Sequence, residues 1–246
     1  PGSAQSFYIE TLRDRDGPLF TCYESEARMR ERYPLVYGEY EFSPQLPTLY
    51  LQRGIAFLKD GQSALAEADF DQAIARLPGF ADAYYNRGLV RTAHGAPGLG
   101  AQDYETVVRL LAGAGDTRLG ESAYYNLGTA RLNMQQLEKT IAAYTAAIGI
   151  GERLEGAELD GPRPRYLDAY YNRGIAYQRN GDEQKALEDF SAIIARDPDD
   201  ADAYFLRSRI YLARGESELA QEDLDRCRKI RQGKKLYKSA IQEKDR

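Results

Sequence analysis

The sequence predicts an all-α solenoid of five helix–turn–helix units stacked one on the next. Three observations carry this expectation. A six-residue string recurs as AYYNRG at Ala83–Gly88, AYYNLG at Ala123–Gly128 and AYYNRG at Ala169–Gly174, with looser copies LYLQRG at Leu49–Gly54 and AYFLRS at Ala203–Ser208. Apolar residues in each half-unit fall at i, i+3, i+4 and i+7, the period of a helix rather than a strand. Glycine separates the two halves, and proline follows the second half at Pro78 and Pro198.

Each copy of the string opens the first helix of a unit. It is followed three residues on by an aromatic or long side chain: Phe57, Arg91, Arg131, Tyr177 and Tyr211. Gly61, Gly95, Gly181 and Gly215 then supply the left-handed backbone that ends a helix and starts a turn. The second halves share a spacing too. Ala66, Phe70 and Ala73 are matched by Ala186, Phe190 and Ile193 and by Ala220, Leu224 and Cys227, and the pairs Tyr104/Val107 and Tyr144/Ala147 keep the same interval. These spacings set the units at 47–80, 81–114, 121–154, 167–200 and 201–234.

Gly54, Gly88, Gly128, Gly174 and Ser208 are small so that the first helix can approach the second, and Phe70, Tyr104, Tyr144 and Phe190 are expected to fill the space toward the next unit. Arg118–Gly120 falls in one gap between units. A second gap, Glu155–Tyr166, contains Gly161-Pro162-Arg163-Pro164 and reads as a loop after a lengthened helix. Gly98 and Gly100 each weaken a helix by roughly 1 kcal/mol against alanine, which makes the second unit the expected soft point.

Residues 1–46 lie outside the repeat. Pro18–Arg32 reads as a capping helix and Glu39–Pro47 as an extended approach; the other roles open to this segment are a strap in the groove or a tail for a missing neighbour. Pro1-Gly2-Ser3 resembles a cloning scar, which leaves room for a removed leader. Residues 235–246 are expected to form a basic capping helix, with Leu236, Tyr237 and Ile241 over the last unit. Its lysines and arginines suit a helix C-terminus, and contact with an acidic partner or a membrane surface is the sharper alternative.

The repeated unit resembles the tetratricopeptide-repeat (TPR) family, whose 34-residue unit carries an aromatic–Leu–Gly–Tyr first half and an Ala–Phe–Ala–Pro second half. The resemblance spans roughly residues 47–234, and the YYNRG wording is similar to that of bacterial TPR proteins. It implies a right-handed superhelical solenoid with N- and C-terminal capping helices. It also implies a concave wall of first helices that binds other proteins.

Composition narrows the function classes. A net charge of −5 opposes bulk nucleic-acid binding. Cys22 and Cys227 form no metal or redox motif, and Cys227 falls in an apolar helical pattern. The one histidine, His94, sits at a turn with no recognisable nucleophile. The Gly95–Gly100 stretch lies in a helix turn rather than after a strand, so it does not read as a phosphate loop. No catalytic residue, metal site or cofactor is expected. The compartment stays open between the cytoplasm and a bacterial envelope.

By the resemblance, the groove positions carry Gln52 in the first unit, Tyr85, Asn86 and Leu89 in the second, and Tyr125, Asn126 and Thr129 in the third. They carry Tyr171, Asn172, Ile175 and Arg179 in the fourth, and Phe205 and Arg209 in the fifth. Asn86, Asn126 and Asn172 resemble the asparagine ladder of O-linked N-acetylglucosamine transferases. A carboxamide both donates and accepts, so it can pair with the backbone of an extended peptide; the other reading is that each bonds only a neighbouring helix. In each tyrosine pair the first is expected between helices and the second toward the groove. The carboxylate clamp of chaperone-binding TPR proteins is not matched, because its positions hold Tyr85, Ser122, Asn126, Asp168 and Asn172. Asp82, Asp168 and Asp202 line the edge and favour a partner that is not acid-terminated. The expected function is a protein-interaction scaffold or adaptor. The alternatives are a self-assembling structural protein and the regulatory part of a larger one.

Overall fold

In the computed structural model, the described residues are 7–12, 20–25, 47–155 and 165–244. Among them are ten helices and one two-stranded hairpin, divided into two compact units at Leu110/Leu111.

The first unit begins with β1 (Phe7–Leu12) paired antiparallel to β2 (Phe20–Ser25), in a register that sets Phe7 opposite Ser25 and Leu12 opposite Phe20. Over Phe20–Ser25 this corrects the expected N-terminal capping helix Pro18–Arg32, whose other residues lie outside the described ones. Phe20, Thr21 and Tyr23 favour a strand, and pairing to the β-prone run FYIETL decides against the short helical pattern. The extended approach expected before Pro47 and the loop around Gly161–Pro164 lie outside the described residues.

Two helical hairpins follow: α1 (Pro47–Lys59) with α2 (Ser63–Arg76), and α3 (Ala81–Ala93) with α4 (Pro97–Leu110). Pro47 and Pro97 stand at first helical positions, where the missing N–H has no intrahelical partner to lose. Gly100 does more than weaken α4. It is buried, and a Cβ there would strike the Thr92 hydroxyl, so glycine is what lets α4 lie against α3.

The second unit holds three hairpins: α5 (Arg118–Asn133) with α6 (Leu137–Glu155), α7 (Arg165–Asn180) with α8 (Glu183–Arg196), and α9 (Ala201–Ala213) with α10 (Ser217–Lys244). The Thr117 hydroxyl caps α5 by accepting from the Gly120 N–H at 3.0 Å. Asp200 caps α9 through the N–H groups of Asp202 and Ala203. α6 runs 19 residues against 14 for α8, so it is the lengthened helix before the insert. Buried Cys227 packs with Ala201 and Ile230.

The turns follow the glycines. Gly61, Gly95, Gly181 and Gly215 all take positive φ, between 74° and 84°, while the third hairpin places Gln135 there at φ 58°.

Within each hairpin the core is a ring seated on a glycine 16 residues earlier: Phe70 on Gly54, Tyr104 on Gly88, Tyr144 on Gly128 and Phe190 on Gly174. A Cβ on Gly128 would lie 2.7 Å from Tyr144, and one on Gly88 2.8 Å from Tyr104. All four rings are buried. They close their own hairpins, and three also reach the next one as expected: Phe70 shares a cluster with Val90, Tyr144 with Ala169, and Phe190 with Ala203 and Ile210. In the last hairpin the sequence places Ser208 at the glycine position and Leu224 at the ring position.

Candidate functional site

The first helix of each hairpin has two working faces, and the structure assigns the tyrosine pairs to them. The first tyrosine lies beneath an arginine three residues on. Arg87 stands over Tyr84 at 5.3 Å, Arg173 over Tyr170 at 5.2 Å and Arg207 over Tyr204 at 5.7 Å. Tyr170 also donates to Glu152 on the preceding helix α6, at 2.7 Å. This face packs between hairpins.

That arginine makes a bidentate ion pair with an aspartate 16 residues later on the second helix of its hairpin. The pairs are Arg53–Asp69, Arg87–Asp103, Arg173–Asp189 and Arg207–Asp223, with N–O distances of 2.6–3.1 Å. All four aspartates are buried. Three of the guanidiniums also reach back to the preceding hairpin: Arg87 to Asp71 at 2.6 Å, Arg173 to the Thr145 hydroxyl at 2.9 Å, and Arg207 to the Ser191 hydroxyl at 2.9 Å. One side chain thus fastens its own hairpin and joins it to the one before. Burial pushes the Asp189 carboxyl above its usual range, although Arg173 pulls it down. In the third hairpin both members are missing together: Leu127 stands at the arginine position and Ala143 at the aspartate position, each buried.

Sequence reasoning missed this ladder. The signal was present in the arginine of the recurring string and in the Asp before the large second-helix core residue of four hairpins, as ADF, QDY, EDF and EDL. Only the helix-to-helix geometry shows that they meet.

The other face carries the expected groove residues. The second tyrosine of each pair leans on the seated ring of its own hairpin: Tyr85 on Tyr104 at 6.0 Å, Tyr125 on Tyr144 at 5.7 Å and Tyr171 on Phe190 at 6.2 Å. All three are half-buried, as are Asn86, Leu89, Asn126, Thr129, Asn172 and Ile175. Gln52, Arg179, Phe205 and Arg209 are exposed.

The asparagines are partly engaged within the protein. In the first unit, Asn86 donates its amide to the Asp82 carbonyl at 2.8 Å. In the second, Asn172 on α7 donates to the Tyr125 hydroxyl on α5 at 3.1 Å. The Thr129 and Tyr144 hydroxyls share a 3.0 Å hydrogen bond. Tyr125, Tyr144, Thr129 and Asn172 therefore form one polar cluster joining the inner helices α5 and α7. Burial pushes the Tyr144 and Tyr104 phenols up to about 12, which keeps both neutral donors.

Nothing in this geometry resembles an activated nucleophile. His94 is exposed at its turn. Among the described residues, no group of three His, Cys, Asp or Glu is placed to hold a metal ion, and no helix is long and apolar enough to cross a membrane.

Paired helices, seated rings and an inner face of tyrosine and asparagine define an all-α solenoid of helical repeats. Tetratricopeptide-repeat models match residues 51–115, 121–150, 167–200 and 190–222, and the chain belongs to the tetratricopeptide-repeat family. The chain is 26% identical over 188 residues to mouse DnaJ homolog subfamily C member 3, a match covering 76% of this chain and 36% of that one. It spans about a third of that relative's length.

Among solved structures, MamA is similar at TM-score 0.65 and 21% identity, over 75% of this chain and 97% of its own. YrrB, described as a TPR protein with an unusual peptide-binding site, is similar at TM-score 0.62 and 20% identity, over 88% of this chain and 97% of its own. These two likenesses establish the fold.

Proposed function

We propose that this protein is an interaction module with no chemistry of its own, and that the inner helices of a unit hold an extended segment of a partner protein. The observation that carries this reading is the division of labour on the first helices. The arginine–tyrosine face is consumed by packing between hairpins, whereas the tyrosine–asparagine face stays partly exposed around a fixed polar cluster. Rigid amphipathic tyrosines beside carboxamides suit peptide recognition, because they offer area and hydrogen bonds with little rotamer freedom to lose. The peptide-binding site ascribed to YrrB, on a similar fold, supports the same class of ligand.

The test is capture of partners by the intact chain, identified by mass spectrometry, followed by affinity measurement with Tyr171→Ala and with Asn126→Ala/Asn172→Ala. Each variant should weaken the captured partner at least tenfold, about 1.4 kcal/mol, with an unchanged far-UV spectrum. Unaltered affinity in both would remove the inner face from the function. A second reading, stacking of chains, is favoured by the exposure of Phe205 and Leu212 on α9. Light scattering over a concentration series separates the two, because only stacking predicts growth.

A further inference from the structure

Resting on the groove reading above, we infer that the second unit selects an extended partner segment whose charges alternate, with basic side chains on one side of the strand and acidic side chains on the other.

The helix period places Asp168, Tyr171, Asn172, Ile175 and Arg179 on one stripe of α7. On α9 the corresponding stripe is Asp202, Phe205, Leu206 and Arg209. Tyr171, Ile175 and Leu206 pack on one shared cluster around Phe190, so the two stripes lie side by side. Each is acidic at the helix start and basic further along. Asp168 and Arg179 are 11 residues apart, roughly 16 Å along the axis.

Asp168, Arg179 and Arg209 are exposed and make no ion pair among the described residues. On other faces of this unit the arginines are committed, Arg173 to Asp189, Arg196 to Glu152 and Arg207 to Asp223. Asp202 pairs with Arg231, but both side chains are more than half exposed, so that pair is weak and exchangeable. The helix dipole accounts for Asp168 in the first turn and Arg179 in the last turn of α7. It does not account for Arg209, since the last turn of α9 holds no basic residue and Arg209 lies before it.

A strand crossing helices packed roughly 10 Å apart advances about three residues per helix, and its successive side chains point to opposite sides. One set meets the Asp168–Asp202 edge and the other meets Arg179 and Arg209. Between the edges, the Asn172 amide already donates to Tyr125, and its carbonyl oxygen remains to accept a backbone N–H of the strand. Selectivity thus rests on charge order rather than on net charge.

The test uses the whole chain and three fluorescent synthetic peptides of about nine residues, enough to cross three helices. One alternates lysine and glutamate, a second has the same composition in two blocks, and a third is neutral. In anisotropy titrations at low salt, the alternating peptide should bind about tenfold tighter than its blocked isomer, and high salt should erase the difference. Arg179→Glu/Arg209→Glu should abolish the preference without changing the far-UV spectrum. Equal binding of the two isomers, or a preference that survives the charge reversal, overturns the inference. If the isomers bind equally while Tyr171→Ala still weakens the neutral peptide, the groove reading stands and the charge order falls. If none of the three binds, both fall.

Discussion

The third hairpin is a natural test of what the arginine–aspartate ladder does, and it sets up a double-mutant cycle at Arg173 and Asp189. Leu127 and Ala143 show that the fold accepts an apolar pair at these positions. Arg173→Leu alone leaves the Asp189 carboxylate, 3% exposed, without its counter-charge. Breaking a buried pair from one side costs on the order of 3–5 kcal/mol. Asp189→Ala alone is milder, about 2 kcal/mol, because Arg173 keeps its hydrogen bond to Thr145 and its contacts with the Tyr170 and Tyr177 rings. The double variant reproduces the third hairpin and should lie within about 1 kcal/mol of the parent. The coupling free energy is therefore on the order of 4–6 kcal/mol, well outside additivity. Urea unfolding followed by far-UV circular dichroism, with hydrogen exchange at the α7 and α8 amides, measures each corner. A double variant as destabilised as the two single variants summed would refute the reasoning, since the pair would then be a net source of stability rather than a matched register lock.

Four further outcomes follow from the same geometry. Gly128→Ala puts a methyl 2.7 Å from a fully buried tyrosine ring and should cost about 1–3 kcal/mol of stability; Gly233→Ala, an exposed position in α10 with nothing within 4 Å, should stabilise by about 0.5–1 kcal/mol in the same urea assay. Gln135→Gly relieves a left-handed glutamine at φ 58° and should raise the midpoint, by on the order of 1 kcal/mol. The Tyr104 and Tyr144 phenols are raised from 10.0 to about 12 in the folded chain. Each thus contributes stability that is complete below the unfolded value and lost as pH rises toward 12, on the order of 3 kcal/mol per group. Alkaline denaturation should therefore begin above pH 10 and move upward in Tyr144→Phe. Hydrogen exchange decides where the chain opens first. The sequence points to the second hairpin through Gly98 and Gly100, but Gln135 and the buried unsatisfied oxygens of Glu121 and Thr140 point to the third, which should exchange fastest.

The helical half of the fold was legible because the repeat is written several times over, and each copy checks the others. Glycine at the turns and proline at Pro78 and Pro198 act through backbone geometry alone, so their meaning survives without any knowledge of neighbours. What remained illegible were relations between helices. Gly100 reads as a helix breaker until Thr92 is placed opposite it. The seated rings read as filler between units, and their second contact, on a glycine 16 residues earlier, shows only once the hairpin is closed. The β1–β2 pair was missed for the same reason, because a strand's partner decides its state more than its own composition does.

The asparagines show how far a side chain's chemistry is set by its surroundings. A free carboxamide offers donors and an acceptor, and the ladder idea asks for both. Asn86 already donates into its own helix, and Asn172 donates across to Tyr125, so the donor half is at least partly committed while the carbonyl half is retained. A groove built this way discriminates by where a strand's N–H groups fall. It gains less from a strand's carbonyls, because Asn86 and Asn172 already donate within the protein. Replacing a ligand amide N–H opposite Asn172 with N-methyl should then abolish binding, whereas a thioamide, which keeps every N–H and weakens only the neighbouring carbonyl as an acceptor, should be tolerated. The reverse order of effects would show that Asn172 turns its donor to the ligand and gives up Tyr125 on binding. In that case Asn172→Asp, which keeps an acceptor, should fail to bind rather than succeed.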